Sequence, residues 1–330
     1  VKGLVKILLS FTLAVAILLF SAVQPARAIS LTSLSKGETN PFSQGIENIQ
    51  KQNYQQALLD FTEALARHEN VAAAYSNRCL VYLQLGNNRA AESDCGEALR
   101  LNPDNREAYL NRGLAYYRMG NEQAALEQYR EVLERDSDDY RAYYNRGLVH
   151  LARQDYQLAL IDYERALSSR GTIPQSQQGL IYSDRGLVHL LLGNLPAAIA
   201  DLSGAIRLDS NNERSYYNRA CAYHRSGNYR AAIADFTQAI RHNPQYAEAY
   251  FYRGWLRHQI GLDQAALKDL KTALQYFKAQ GKMDAYRQTL ASLEQLRGIV
   301  SQKDSIAISN IAISKKVEMR NNSPLPWHAV

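Results

Sequence analysis

Three cysteines in 330 residues are too few to staple a disulfide scaffold. No charge of either sign stands in strong excess. The formal net charge of +6 halves once Lys2, Lys6 and Arg27 are set aside, and those three lie in a leading stretch of 28 residues that holds no acid. So balanced a chain gives no ground for nucleic-acid binding. There is no glycine-rich phosphate loop, no HExxH and no G-x-S-x-G elbow. Serines, histidines and carboxylates occur, but at no spacing that forces them together. Neither catalysis nor a cofactor is expected, and the chain reads as a non-enzyme.

Residues 1–28 have the pattern of a secretory leader. Lys2 and Lys6 supply a basic start, Ile7 to Val23 is almost unbroken apolar sequence, and Ala26-Arg27-Ala28 is a small-x-small cleavage site. No cysteine adjoins that site, which argues against a lipoprotein. The apolar run is slightly long for a leader, so an uncleaved membrane anchor is the competing reading. The expectation is a bacterial exported protein, placed in the periplasm by default.

One phrase recurs through the rest of the chain: AYSNRCLVYL at 74–83, AYLNRGLAYY at 108–117, AYYNRGLVHL at 142–151, IYSDRGLVHL at 181–190, SYYNRACAYH at 215–224 and AYFYRGWLRH at 249–258. The step is 34 residues, with one of 39. A fixed period in this range marks stacked helical hairpins, none of which buries both faces alone. Counting positions 1–34, repeats start at Glu38, Ala72, Arg106, Tyr140, Gly179, Glu213 and Ala247. Position 20 is always alanine and position 8 is always small, from Gly45 to Gly254. These two are expected to form the close helix–helix contact, with Tyr at 4 and the large residue at 24 filling the sides. Gly or Gln before Asn or Asp at 15 and 16 marks the turn.

The pattern resembles the tetratricopeptide repeat (TPR) family over about residues 38–280. The resemblance implies an all-α TPR solenoid of seven helix-turn-helix repeats: 38–71, 72–105, 106–139, 140–178, 179–212, 213–246 and 247–280. A linker at 29–37 precedes it. An amphipathic helix within 281–300, with Leu290, Leu293, Leu296 and Ile299 on one face, is expected to cap it. Residues 301–330 read as a mostly disordered tail, with weak period-two alternation at 305–314. Pro41 at position 4 should delay the first helix until Asn40 or Thr39 can cap it. The five extra residues in SSRGTIPQSQQG, 168–179, read as a looser joint.

Position 7 is Arg78, Arg112, Arg146, Arg185, Arg219 and Arg253, and position 23 is aspartate in all repeats but one. The last aspartate has no following repeat, yet Arg287 lies 18 residues on, and repeat one has Gln44 at position 7. This favours pairing between neighbours: Asp60 with Arg78, Asp94 with Arg112, Asp162 with Arg185, Asp201 with Arg219, Asp235 with Arg253 and Asp269 with Arg287. These are structural ties rather than an open basic ladder.

By the resemblance, the first helix of each repeat lines a concave groove for an extended peptide of a partner protein. The groove would present Asn77, Asn111, Asn145, Asp184 and Asn218 as a polar row beside Leu110, Tyr117, Tyr144, Tyr217, Phe251 and Trp255. Amides pair with peptide backbone and aromatics take its side chains. Position 5 is never basic, so the carboxylate-clamp pattern is absent. Cys79 and Cys95 read as buried thiols filling core slots. Cys221, His224 and His258 read as polar groove residues rather than a metal site, since three ligands without a fourth are weak grounds. The expected function is a protein-interaction scaffold or assembly factor, with a metal- or small-ligand-binding accessory or sensor of the envelope as alternative. A thylakoid-lumen address enters if the source is photosynthetic. The membrane is involved only through an uncleaved leader.

Overall fold

The computed structural model describes residues 40–321, and the leader pattern at 1–28 lies outside them. Among the described residues only helices and their connecting turns occur. They form two units, through Ser210 and from Asn211.

The first unit contains ten helices paired as antiparallel hairpins. They are α1 (Pro41–Gln50), α2 (Tyr54–Ala66), α3 (Val71–Gln84), α4 (Asn88–Leu101), α5 (Arg106–Arg118), α6 (Glu122–Arg135), α7 (Tyr140–Ala152), α8 (Tyr156–Leu167), α9 (Gln175–Leu192) and α10 (Leu195–Leu208). The odd-numbered helix of each hairpin packs on its own partner and on the even-numbered helix before it. Odd helices also touch one another along one side, α3 with α5 and α5 with α7, and this side is the inner face. The second unit has α11 (Glu213–Arg225) with α12 (Tyr229–His242), α13 (Ala247–Gln259) with α14 (Asp263–Ala279), and the long α15 (Met283–Asn321) laid on α14.

Helix starts follow the short polar residues. Asn40 accepts from the Ser43 N–H at 2.8 Å ahead of Pro41, as the late start required. Asn87, Asn105, Asn121, Asn212 and Asn228 cap in the same way. The turns need a left-handed residue at position 15, supplied by Gly120 at φ +78° and its equivalents. Repeats one and four place Gln52 (φ 61°) and Gln154 (φ 64°) there instead, at a steric cost to the side chain.

The closest approach within a hairpin differs from the expected 8-to-20 contact. A Cβ on Gly113 would lie 2.6 Å from the ring of Tyr129, and one on Gly147 would lie 2.6 Å from that of Tyr163. Position 8 therefore sits directly under position 24. In the second hairpin the same two positions are Cys79 and Cys95, and they are joined as a disulfide across a Cα–Cα distance of 5.4 Å. This corrects the expectation of free thiols. A slot built for glycine against tyrosine brings two cysteine Cβ atoms within bonding range.

Two further expectations change. The insertion is pinned rather than loose: the Ser169 hydroxyl donates to the Asp138 carbonyl at 2.7 Å, the Arg170 N–H donates to the Asp138 carboxylate at 2.8 Å, and Ile173 is buried among Tyr144, Leu148 and Ile181. The helix after α14 packs Leu293 and Leu296 as expected, but it continues through Asn321 rather than ending near 300. No proline or glycine interrupts residues 299–321, so nothing local breaks the helix there.

Replacing Gln154 with glycine should raise stability by about 0.5–1 kcal/mol, because relief of the left-handed strain outweighs glycine's extra chain entropy. Urea unfolding of Q154G against the parent checks this. A loss of stability would mean the Gln154 side chain contributes more than the strain removes.

Candidate functional site

A hairpin that turns at positions 15 and 16 sets residues equidistant from the turn side by side. Position 7 thus faces position 23 of its own repeat, and the arginine–aspartate ladder pairs within hairpins. The Nε and Nη2 of each arginine grip both carboxylate oxygens. Arg78 holds Asp94 at 2.6 and 2.9 Å, Arg146 holds Asp162 at 2.9 and 2.7 Å, and Arg185 holds Asp201 at 2.7 Å twice. Arg219 holds Asp235 at 2.7 and 2.9 Å, and Arg253 holds Asp269 at 2.9 and 2.8 Å.

The between-repeat register is therefore overturned for Asp94–Arg112, Asp162–Arg185, Asp201–Arg219 and Asp235–Arg253. The ends of the array misled because substitutes occupy them. Asp60 accepts from Asn48 at 2.7 Å and from Gln56 instead of Arg78. Arg287 takes Asp284 on its own helix, and Asp269 takes Arg257 as well as Arg253. Where position 23 is Gln128, Arg112 turns to Glu92 of the preceding repeat at 2.9 Å. A weaker tie between neighbours remains: Arg78 donates to the Thr62 hydroxyl at 3.2 Å and Arg253 to that of Thr237 at 3.1 Å.

Tyrosines at position 4 flank the guanidinium groups, as with Tyr143 and Arg146 at 5.5 Å. Position 11 is tyrosine in three repeats but His150 and His189 in two adjacent ones. Each imidazole stands close to the aspartate of its own hairpin, 3.7 Å from Asp162 and 3.9 Å from Asp201, and each Nδ1 is buried without a hydrogen-bond partner. Burial holds both imidazoles below the usual histidine pKa, with Arg146 and Arg185 adding repulsion against the neighbouring aspartates' attraction.

The predicted groove residues do not form an open row. Asn77, Asn111, Asn145, Asp184 and Asn218 are at most 5% exposed, as are Leu110, Tyr144, Tyr217 and Phe251. Odd helices close on one another along the inner face, and positions 5 and 6 fall into that seam. Tyr144 spends its hydroxyl on Asp184 at 2.9 Å. Tyr117 and Trp255 remain half-buried.

Sequence reasoning missed Arg118, which follows Tyr117 at position 13. It donates to the Leu83 carbonyl at 2.7 Å, at the C-terminal end of α3, and no carboxylate lies against it. Burial lowers its pKa, a sign of a partly desolvated cation without a counter-charge. A signal was present in the sequence, since no aspartate or glutamate stands at the partner spacing for this position. Among the described residues no three metal-ligating side chains gather. His258 donates to or accepts from Asp263 at 2.7 Å, while His224 packs on Trp255.

Sequence profiles described as tetratricopeptide repeat match residues 78–139, 112–179 and 213–246, and one described as TPR repeat matches 186–227. The chain belongs to the tetratricopeptide repeat family. Solved TPR-like structures agree in fold. PilW, a type IV pilus biogenesis factor, superposes with a TM-score of 0.59 at 18% identity over 67% of this chain and 99% of its own. PilF of Pseudomonas aeruginosa gives 0.57 at 21% identity over 67% and 97%. A tetratricopeptide repeat protein of Parabacteroides merdae gives 0.55 at 19% identity over 76% and 97%. At these identities the likeness is one of fold. Comparison with curated proteins gives no match.

Arg219→Ala should destabilise the TPR unit by about 1–3 kcal/mol, because it strands Asp235, which is only 6% exposed. In double-mutant cycles it should couple to Asp235→Ala and not to Asp201→Ala. Stronger coupling to Asp201 would restore the between-repeat register.

Acid should weaken the fourth and fifth hairpins. The folded-state pKa values of His150 and His189 are depressed, so the unfolded chain takes up protons first. Their contribution is complete above the unfolded value near 6.5 and is lost as pH falls below it. The double substitution of both histidines by tyrosine, the residue other repeats use, should flatten this part of the stability–pH curve. Urea midpoints on either side of that pH measure it, and an unchanged slope would discount the pair.

Proposed function

We propose that this TPR protein is a non-catalytic interaction scaffold or assembly factor that works outside the cytoplasm. It holds an extended, acid-bearing peptide of a partner on the inner face of its first unit. The observation that carries this is Arg118. A guanidinium with spare donors, partly desolvated and lacking a carboxylate, stands beside the half-buried ring of Tyr117. A partner's acidic side chain supplies the missing counter-charge, and the ring supplies contact area. The buried amides hold the seam beneath and do not touch the peptide directly. TPR folds generally serve protein association, and PilW is itself named for the biogenesis of a larger assembly. Export is supported by the leader pattern of residues 1–28 and by the Cys79–Cys95 bond, which persists in oxidising compartments.

Arg118→Ala should weaken partner capture by about 1 kcal/mol while leaving helicity unchanged. Tyr117→Ala should cost a similar amount. The measurement is a pull-down from the native source followed by calorimetry on the captured protein, with circular dichroism as the folding control. Full affinity in both variants would move the interaction to another face.

A further inference from the structure

The inner side of the second unit departs from the repeat pattern. Position 9 is leucine in repeats two to five but Cys221 and Trp255 in the last two, and position 12 becomes His224. The replacements meet in space. The His224 ring stands edge-on to Trp255 at a centroid distance of 5.1 Å, and Tyr217 stacks on Tyr246 at 4.7 Å. Trp255, His224 and Tyr246 are half-buried at the surface, while Tyr217 is fully buried behind them. The Trp255 indole N–H is buried and has no acceptor. Burial keeps His224 neutral at neutral pH and pushes the Cys221 thiol up to about 12, so neither brings charge. The surface thus offers flat rings and one unspent donor. It suits an uncharged segment whose backbone carbonyls are free.

A proline-containing strand in the polyproline II form meets that description. It makes no internal hydrogen bonds, its carbonyls all point outward, and its rings stack on aromatic faces. The chain contains such a segment in Ser323-Pro324-Leu325-Pro326-Trp327, which lies beyond the described residues. At three residues per turn, Pro324 and Trp327 share one edge.

Helix length determines which molecule it can reach. Lys303 on α15 pairs with Asp263 at 2.8 Å, and Asp263 pairs with His258, one turn along α13 from Trp255. From Lys303 the helix runs on to Asn321, about 27 Å further at the α-helical rise. Fully stretched, the chain covers only about 10–20 Å between Asn321 and Pro324 to Trp327. The segment falls short of its own Trp255. We propose that residues 323–327 of one copy dock on the Trp255–His224 face of a second copy, so that the protein self-associates through this site.

Sedimentation of the full chain over a wide concentration range tests this. The parent should associate with rising concentration, and a synthetic Asn322–Val330 peptide should dissociate it. Trp255→Phe keeps the ring and removes the donor, and it should weaken association roughly tenfold, about one hydrogen bond. Pro324→Ala with Pro326→Ala, outside the folded units, should weaken it at least as much without risk to folding. Arg118→Ala in the first unit should leave association unchanged, which separates this site from the partner-binding surface above. A chain that is monomeric at every concentration overturns the proposal. So does association that is indifferent to both the Trp255 and the proline variants, or a peptide that binds while the chain itself stays monomeric.

Discussion

The distance between the two helices of each hairpin is set at one point, where position 8 meets position 24. Gly113 and Gly147 leave no room for a Cβ beneath Tyr129 and Tyr163, so any larger residue there would push the hairpin open. The alanines at positions 20 and 27 are fully buried along the same interface. With this separation fixed, position 7 comes level with position 23 and the arginine can grip its aspartate with two nitrogens. The disulfide is the covalent version of the same contact.

The arginine–aspartate pairs then specify more than they stabilise. Both partners are largely removed from water, so much of their attraction offsets desolvation. Their value is geometric. A planar fork accepts one carboxylate in one orientation, and the flanking tyrosines hold it there. The spare nitrogen of Arg78 or Arg253 reaches a threonine on the preceding helix and carries the register from one hairpin to the next. His150 and His189 replace the tyrosine at position 11 with a group that changes charge in the physiological range.

Two surfaces are set against this repetitive background, and each is a departure from it. Arg118 is a cation in a chain where the position-7 arginines are otherwise matched to acids. The Trp255–His224 face substitutes rings for the leucines of the other repeats. In both, a polar group lacks the partner that the rest of the fold supplies so regularly, and both are read as places where another chain completes the bonding.

Helical class, period, the start at Asn40, the turns and the apolar face of the last helix were all legible in the sequence, because they depend on local backbone preferences and on spacing along one helix. Long-range partners were not. Asp94 lies 16 residues from Arg78 and 18 from Arg112. Pattern alone weighed these spacings by what stood at the ends of the array, and chose wrongly. Only the packed hairpin shows that the turn acts as a mirror, which sets 7 against 23 and 8 against 24. The amide row was legible as a row but not as buried, since burial depends on how closely neighbouring helices approach. That distance is set by side chains from three helices at once, and it exists only once the tertiary structure has formed.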